Sequence, residues 1–454
     1  MAFDLVVKGK LVLADQVADG CVGVEGGRVA RVSSGDLAGR TVVDAGGKIV
    51  LPGVVDLHAH FSEPGRTSWE GWAYGSRAAA AGGVTTVVDM PLNAVPATVN
   101  REAFELKRDA GLRSSLVDFA LWGGLVDDNL ADLPDLLAAG VMGIKAFMID
   151  IKDDTFRYVD EAQLRRGMEI IAGSGLFLAV HAEDNEGTWN RTRALQAAGR
   201  TDRRAWTEAR SPEGELTAIL RALSLARETG CPLHLVHVSL PEGVEALDAA
   251  RRSGQKVSWE TCAHYLSLTD EDFYRLGPEA KCAPPLRDRA RQAALWDQIL
   301  AGQIEAVTSD HSPCPTEDKQ AGDDNIWNAW GGITGIQSLL PVMMTEGFPR
   351  GLSWPALARL LCTGPAKLAG LADRKGALAE GHDADFVVVD PQRSWTLRKE
   401  DLKSRHPHSV YVGRRFQGGI DAVFLRGKRL FGEGKLDETS AGQFLSWTEN
   451  KTKP

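Results

Sequence analysis

The feature that most constrains the fold is a series of eight short apolar segments, rich in β-branched residues, between residues 54 and 311. Each has the length of a buried strand, and helical patterns such as EALDAARRSG and RQAALWDQILAG separate most of them. Such an alternation produces a parallel sheet covered by helices. The segments are VVDLH (54–58), VTTVVDM (84–90), SLVDFAL (115–121), GIKAFM (143–148), LFLAVHA (176–182), LHLVHVS (233–239), KVSWETC (256–262) and EAVTSDH (305–311).

The number of segments decides between the two common parallel architectures. Eight strand–helix units predict an α/β fold built on a closed (β/α)8 barrel of the TIM type. The alternative is an open, doubly wound sheet. We find no G-x-G-x-x-G turn in the sequence, which also favours the barrel.

The two ends of the chain have a different sequence pattern from the middle. Short alternating runs separated by glycine turns occur in DLVVKGKLVL and GCVGVEGGRVARVSS, and again in GALAEGHDADFVVVDP and GIDAVFLRGKRLFGEG. We expect both ends to form one small β-sandwich domain. The predicted division is residues 1–50 for its N-terminal part, 51–373 for the barrel, and 374–454 for its C-terminal part and tail.

Composition excludes several classes of function. The net charge of −9 and the lack of any Lys/Arg-rich run argue against nucleic-acid binding. No apolar run approaches the roughly 20 residues of a membrane span, and the N-terminus lacks a signal-peptide pattern. The six cysteines form no C-x-x-C pair, which is typical of reduced thiols. We therefore expect a cytoplasmic enzyme.

Chemically useful residues occur where the predicted strands end. Active sites of such barrels lie at the C-terminal ends of the strands. Residues two apart on a strand face the same side, so the H-x-H pair of strand one can present two imidazoles together. The candidates are His58 and His60 (strand one), Lys145 (strand four), His181 (strand five), His237 (strand six) and Asp310 (strand eight).

The remaining histidines are weaker candidates for metal ligands. His234 is three residues before His237 on the same strand and faces the opposite side, so we expect it in the core. His264 and His311 follow strands seven and eight, where they could contact substrate or groups around a metal. Three others near the C-terminus are predicted to be surface residues: His382, His406 and His408.

Lys145 lies in an apolar strand, where an ammonium group is costly. Burial lowers the pKa of a lysine. A neutral amine can react with carbon dioxide to give a carbamate, which is an anionic, bidentate metal ligand. The alternative is an ion pair with an acid such as Asp310.

This constellation resembles the binuclear amidohydrolase superfamily, and the resemblance covers essentially the whole chain. It is strongest for the cyclic-amide hydrolases, which comprise dihydroorotases, hydantoinases and allantoinases. The stretches most similar to allantoinases are HFSEPGRTSWEGW (60–72), AAAAGGVTTVVDMPLNAVPATV (78–99), ETCAHYLSL (260–268), KCAPPLRD (281–288), TSDHSPCP (308–315) and AWGGITGIQ (329–337).

Two departures from the sister groups favour the allantoinases. Dihydroorotases carry an arginine for the substrate carboxylate where this chain has Ser62. Hydantoinases carry a tyrosine five residues after the lysine, where this chain has Asp150. A hydantoinase or dihydropyrimidinase remains the main alternative. A catalytically dead scaffold is disfavoured because all six metal positions are present.

The resemblance implies a set of roles. His58, His60 and Asp310 would bind one metal, His181 and His237 a second, and N6-carboxylated Lys145 would bridge them. Asp310 would also be the catalytic proton acceptor. The cofactors would be two divalent ions, zinc first, with cobalt, manganese, iron or nickel as alternatives, and carbon dioxide for Lys145.

The resemblance further implies a small cyclic ureide as substrate and a homodimer or homotetramer. Substrate contacts are predicted from Ser62, Asn93 and backbone groups near Ala263, His264 and Gly332. Asn93 could equally be a turn residue between two prolines, and Ser62 could cap a turn.

Overall fold

The computed structural model describes residues 2–439 and 441–447. Its strands are β1 Phe3–Val12, β2 Val17–Glu25, β3 Arg28–Ser33, β4 Gly39–Pro52, β5 Val54–Ala59, β6 Val84–Asp89, β7 Asp118–Leu121, β8 Gly123–Gly124, β9 Ile144–Phe147, β10 Leu178–His181, β11 Leu233–Leu235, β12 Val257–Cys262, β13 Ala306–Thr308, β14 Phe386–Thr396, β15 Arg415–Leu425, β16 Lys428–Gly432 and β17 Lys435–Leu436.

The helices lie mostly between the strands of the central region. They are α1 Trp72–Ala81, α2 Arg101–Ser114, α3 Leu133–Ala138, α4 Glu161–Ala172, α5 Asn185–Ala197, α6 Arg203–Ala209, α7 Pro212–Thr229, α8 Pro241–Arg252, α9 Ala263–Ser267, α10 Asp270–Leu276, α11 Arg289–Leu300, α12 Thr316–Gln320, α13 Leu339–Gly347, α14 Trp354–Ala358 and α15 Gly364–Leu368. Among the described helices, none combines the length and the apolar character needed to cross a membrane.

Strands β5 to β13 form the predicted barrel. They pair in parallel in two series, β5-β6-β7 and β8-β9-β10-β11-β12-β13. The third barrel strand is divided at Trp122, whose N–H donates to the Asp89 carbonyl at 3.0 Å. The barrel closes where Ala59 pairs with His311 and the His60 N–H donates to the His311 carbonyl at 2.8 Å. The eight-stranded barrel prediction is confirmed.

Two barrel strands end several residues before the predicted segments do. The segments predicted as strands over 233–239 and 305–311 are extended only over Leu233–Leu235 and Ala306–Thr308. His237 and Asp310 have φ angles of 39° and 42°, in the left-handed region, which strand geometry excludes. Both candidate ligands therefore lie in turns just after their strands.

Both ends of the chain meet in one β domain, as predicted, and its strands form one mixed sheet. Its order is β17-β16-β15-β14-β4-β1-β2-β3, with β1 and β4 parallel and the other neighbours antiparallel. A separate apolar cluster, which includes Val7, Val22 and Phe386, fills the space beneath this sheet. The predicted boundaries at 50/51 and 373/374 remain predictions, and residues 440 and 448–454 of the last segment lie outside the described residues.

The connection between β14 and β15 returns to the barrel. The His406 ring meets the Ser68 carbonyl at 2.7 Å, and the Arg405 guanidinium donates to the Glu70 carbonyl at 2.8 Å. His408 contacts the Cys314 carbonyl at 2.8 Å and is only 10% exposed. The prediction of His408 as a surface residue is wrong, because this connection packs on loops that surround the barrel mouth.

Candidate metal centre

The six predicted ligand side chains converge at the C-terminal end of the barrel. His58 Nε2 and His60 Nε2 lie 3.3 and 3.4 Å from the same oxygen, Asp310 Oδ1. The His237 ring centroid is 5.4 Å from that of His58 and 4.5 Å from that of His181. The four imidazoles are 2–5% exposed, and the Asp310 side chain is 12% exposed.

Asp56 holds the backbone next to two candidate ligands, His58 and Asp310. This buried carboxylate of β5 accepts the N–H groups of His58 and Ser309, each at 3.2 Å, and the Ser309 hydroxyl at 2.5 Å. The Ser309 hydroxyl in turn accepts the His311 N–H at 3.0 Å. Asp56 thereby ties the end of strand one to the turn that carries Asp310.

Lys145 reaches the site as a buried amine without a partner. Its side chain is 1% exposed, and Nζ has no hydrogen-bond partner and lies 5.0 Å from the centroid of the Phe147 ring. Burial lowers the pKa of Lys145 to about 7. Within the described residues no carboxylate lies within 4.0 Å of Nζ, so the alternative of an ion pair with Asp310 is not observed.

Two carboxylates stand behind the histidines, and the sequence analysis missed both. Glu260 Oε1 is 2.6 Å from His58 Nδ1, and Glu183 Oε2 is 2.7 Å from His181 Nε2. A carboxylate on one ring nitrogen fixes the tautomer and orients the other nitrogen toward a metal. The available signals were the H-A-E spacing after strand five and the inward-facing register of Glu260 on β12.

These carboxylates remain ionised in spite of their burial. Burial alone raises the pKa of Glu260, but His58 and His234 lower it to about 2. Burial likewise raises the pKa of Glu183, but Arg210 and His181 lower it to about 2. Asp310 follows the same pattern: against its burial, His58 and His60 hold its pKa well below the ordinary range. The cluster is therefore rich in negative charge.

The residues present fit a pair of divalent ions. Buried polar atoms without partners include His60 Nδ1, His237 Nδ1 and Lys145 Nζ. Buried groups of this kind are normally hydrogen-bonded or coordinate an ion. Imidazole nitrogens, a carboxylate and a carbamate suit zinc and its transition-metal neighbours.

The predicted substrate residues lie around the same site. Ser62 and Asn93 have left-handed φ angles of 58° and 65°, which agrees with the alternative of turn residues. Their side-chain oxygens nevertheless have no hydrogen-bond partner and are buried. Neither ring nitrogen of His264 has a partner, and burial lowers its pKa to about 4. These unpaired groups are available to a ligand.

The two predicted backbone contacts are also buried. Ala263 begins α9 directly after β12. Gly332 precedes Ile333, which pairs with His311 beside Asp310. A Cβ atom at Gly332 would come within 2.5 Å of the Ser312 carbonyl oxygen, so only glycine allows this approach.

Comparison with known proteins agrees with this geometry. The model of the amidohydrolase family matches residues 49–430. The chain belongs to the amidohydrolase family. Curated members of this family named allantoinase are similar over almost the whole chain. The protein of Rubrobacter xylanophilus is 48% identical, covering 98% of both chains, and that of Deinococcus radiodurans is 43% identical, covering 98% of this chain and 99% of the relative.

Solved structures of the family share the fold. An L-hydantoinase (dihydropyrimidinase) from Arthrobacter aurescens has a TM-score of 0.95 at 35% identity, covering 98% of this chain and 100% of that chain. A D-hydantoinase structure has a TM-score of 0.91 at 28% identity, with the same coverage. The predicted family and fold are confirmed, whereas the roles of individual residues stay predictions.

Proposed function

We propose that this chain is an allantoinase, which hydrolyses a ring amide of allantoin to give allantoate. The observation that carries the substrate assignment is the near-full-length similarity to curated allantoinases, which reaches 48% identity. The buried cluster of imidazoles, carboxylates and an unpaired amine supports the chemistry of metal-assisted amide hydrolysis.

In this proposal His58, His60 and Asp310 hold one divalent ion, and His181 and His237 hold the other. N6-carboxylated Lys145 would contact both. The chemistry that such a pair supplies when bound is Lewis acidity toward a carbonyl and activation of water. Zinc is the first candidate, and cobalt, manganese, iron or nickel also suit these ligands.

Asp310 is the proposed proton carrier. Its carboxylate is the most exposed of the ligand groups, and its low pKa keeps it in the basic form at neutral pH. Oδ1 lies beside two imidazoles, which leaves the other oxygen to accept a proton from the attacking water. The same oxygen would deliver that proton to the leaving ring nitrogen.

The pocket groups suit a neutral ureide. Ser62, Asn93 and His264 offer a hydroxyl, an amide and a neutral imidazole, none of which carries charge. Allantoin presents several amide donors and acceptors to such groups. Ser62 offers no cation to the carboxylate of dihydroorotate, which disfavours that substrate.

A hydantoinase or dihydropyrimidinase is the second candidate, favoured by the TM-score of 0.95 to the Arthrobacter enzyme. Asp150 argues against it. Its carboxylate accepts the Lys152 N–H at 2.8 Å and pairs with Lys152 Nζ at 2.5 Å. This side chain is engaged within its own loop and cannot supply the phenol of hydantoinases.

A substrate panel tests the proposal. The metal-loaded enzyme, kept in bicarbonate, is assayed with allantoin, hydantoin, dihydrouracil and dihydroorotate. We expect kcat/KM to be highest for allantoin. A higher value for hydantoin or dihydrouracil would move the chain to the second candidate.

A cytoplasmic location and a homodimer or homotetramer also belong to the proposal. All six cysteines are buried and free, which agrees with a reducing compartment. Light scattering coupled to size exclusion would measure the number of subunits.

A further inference from the structure

Two buried lysines near the site have no role in the proposed chemistry. Lys281 and Lys319 are each 2% exposed. Within the described residues, no carboxylate lies within 4.0 Å of either amine, although both amines have hydrogen bonds. Burial without a counter-ion disfavours the ammonium form and lowers the pKa of both amines, that of Lys281 well below its ordinary value.

Lys319, on α12, binds four backbone carbonyls. Nζ donates to Pro278 at 2.9 Å, to Trp330 at 3.1 Å and to Gly332, with a longer contact of 3.4 Å to Lys281. Pro278 and Lys281 belong to residues 277–288, which we name the strand-seven loop. Trp330 and Gly332 belong to residues 312–335, which we name the strand-eight loop.

Lys281 makes the reverse connection. It belongs to the strand-seven loop, and its Nζ donates to three carbonyls of the strand-eight loop: Ile326 at 2.7 Å, Ala329 at 2.6 Å and Trp327 at 3.5 Å. The Trp206 ring lies 4.1 Å from the same amine, where a cation over an aromatic face is favourable. Each lysine therefore donates hydrogen bonds to the loop that carries the other lysine. We call Lys281 and Lys319 together the clamp.

The clamp ends at the part of the strand-eight loop that faces the site. Gly332 is held by Lys319, and the next residue, Ile333, pairs with His311. The Ile333 carbonyl accepts the Ser312 N–H at 3.0 Å. Because His311 directly follows Asp310, a shift of residues 329–333 changes the distance between the Gly332 backbone and the reacting groups.

We infer that Lys281 and Lys319 are positioning residues, which hold residues 329–333 at the distance needed to bind the cyclic amide substrate. The inference rests on the proposed function for the presence of a substrate at this site. It adds that substrate affinity depends on two amines whose contacts, within the described residues, are with backbone carbonyls and an indole ring.

Kinetic constants and metal content separate this role from a purely structural one. Methionine has nearly the length of lysine but no donor, so Lys319→Met removes the grip and leaves the bound carbonyls without a donor. Because buried carbonyls without a donor are unfavourable, we expect the melting temperature to fall while both metals stay bound. Substrate binding should weaken, because the loop is then free to move.

The experiment compares full-length Lys319→Met and Lys281→Met with the wild type after metal loading. Lys367→Met, at an exposed lysine of α15, is the control for loss of one positive charge. Melting temperature, metal content, KM and kcat are measured with whichever of the four cyclic amides the wild type hydrolyses best, so an error in the substrate assignment does not decide the outcome.

We expect both clamp variants to fold and to keep two metals, with KM raised about tenfold or more and kcat changed less than about threefold. Lys367→Met should match the wild type. An unchanged KM in the folded clamp variants would overturn the inference. If one variant fails to fold, the other decides by the same criteria. Failure of both to fold, or a lower melting temperature with loss of metal, would make the lysines structural and would also overturn it.

Discussion

Two of the candidate metal ligands, His58 and His181, each contact a buried carboxylate, and the two carboxylates have different neighbours. Glu260 contacts His58 Nδ1 at 2.6 Å, and its other oxygen lies 3.4 Å from His234, with no lysine or arginine among the described residues in contact with it. Glu183 contacts His181 Nε2 at 2.7 Å, but the same oxygen also accepts the Arg210 guanidinium. In one half of the centre the carboxylate contacts imidazoles, and in the other half the carboxylate is also paired with an arginine.

The difference predicts unequal metal positions. A carboxylate on the outer ring nitrogen raises the basicity of a ligating imidazole. Glu260 exerts this effect on His58 in full, whereas Arg210 reduces the effect of Glu183 on His181. We expect the position of His58, His60 and Asp310 to hold its ion more tightly than the position of His181 and His237.

The arginine side of the centre is also tied into a larger ionic network. Arg287 donates to the Arg210 carbonyl at 2.7 Å, to Glu215 Oε2 at 2.7 Å and to the Ser239 hydroxyl at 3.0 Å. The Ser239 N–H donates to Glu215 Oε1 at 2.9 Å, only two residues after His237. Two carboxylates and two guanidiniums thus balance one another behind the second position.

Removal of the proposed bridge should have the largest effect. Lys145→Ala eliminates the group that joins the two halves, and we expect kcat/KM to fall by at least about 10³-fold. Metal analysis should show loss of the ion at the His181 and His237 position first. Lys367→Ala serves as the control. Full metal occupancy with an unchanged rate in Lys145→Ala would show that the bridging role is wrong.

Glu260→Gln should have the next largest effect. It removes the carboxylate charge behind His58, and we expect metal affinity to fall by about 10–100-fold. Competition with a chelator measures this affinity without any substrate. If Glu260→Gln weakened only the ion held by His181 and His237, the predicted difference between the two metal positions would be wrong.

Glu183→Gln should weaken metal binding less, by about tenfold or less, because Arg210 already offsets the Glu183 charge. Glu183→Gln should instead lower the stability of the folded protein. Arg210 would remain buried without its anion, so we expect a lower melting temperature than for Glu260→Gln. Calorimetry of both metal-free variants makes the comparison directly; equal melting temperatures would contradict it.

The last prediction concerns the pH dependence of stability that His264 adds beside Asp310, and not metal affinity or activity. Burial lowers its pKa from 6.5 to about 4. The unfolded chain binds this proton below pH 6.5 and the folded chain only below about 4, so stability falls as the pH drops through that window. Between pH 7 and pH 4, the free energy of unfolding of His264→Gln should fall by roughly 3 kcal/mol less than that of the wild type. Urea unfolding at both pH values measures the difference, and identical losses would contradict it.

Much of this arrangement could be predicted from the sequence. Strand–helix alternation indicated the barrel, and residues at strand ends indicated the ligands, because parallel strands bring their C-terminal ends together. His58 and His60 could be placed from spacing alone. The left-handed turns at His237 and Asp310 could not, because neither residue is a glycine and nothing local marks the turn.

The contacts behind the ligands could be predicted only in part, because the sequence offers local signals for Glu183 and Glu260 but none for Arg210. Arg210 follows α6 and lies 27 residues from Glu183, and Glu260 lies 202 residues from His58. Only the closed barrel brings these pairs together. The same holds for His408, whose partners Glu279 and Cys314 come from two other loops.

The most direct test is whether Lys145 carries a carbamate that joins two metal ions. The enzyme would be loaded with zinc in ¹³C-bicarbonate, and ¹³C NMR and metal analysis would be run on the wild type and on Lys145→Ala. The account predicts a carbamate resonance and two ions per chain in the wild type, with no resonance and fewer ions in the variant. Two ions per wild-type chain without a carbamate resonance would contradict it.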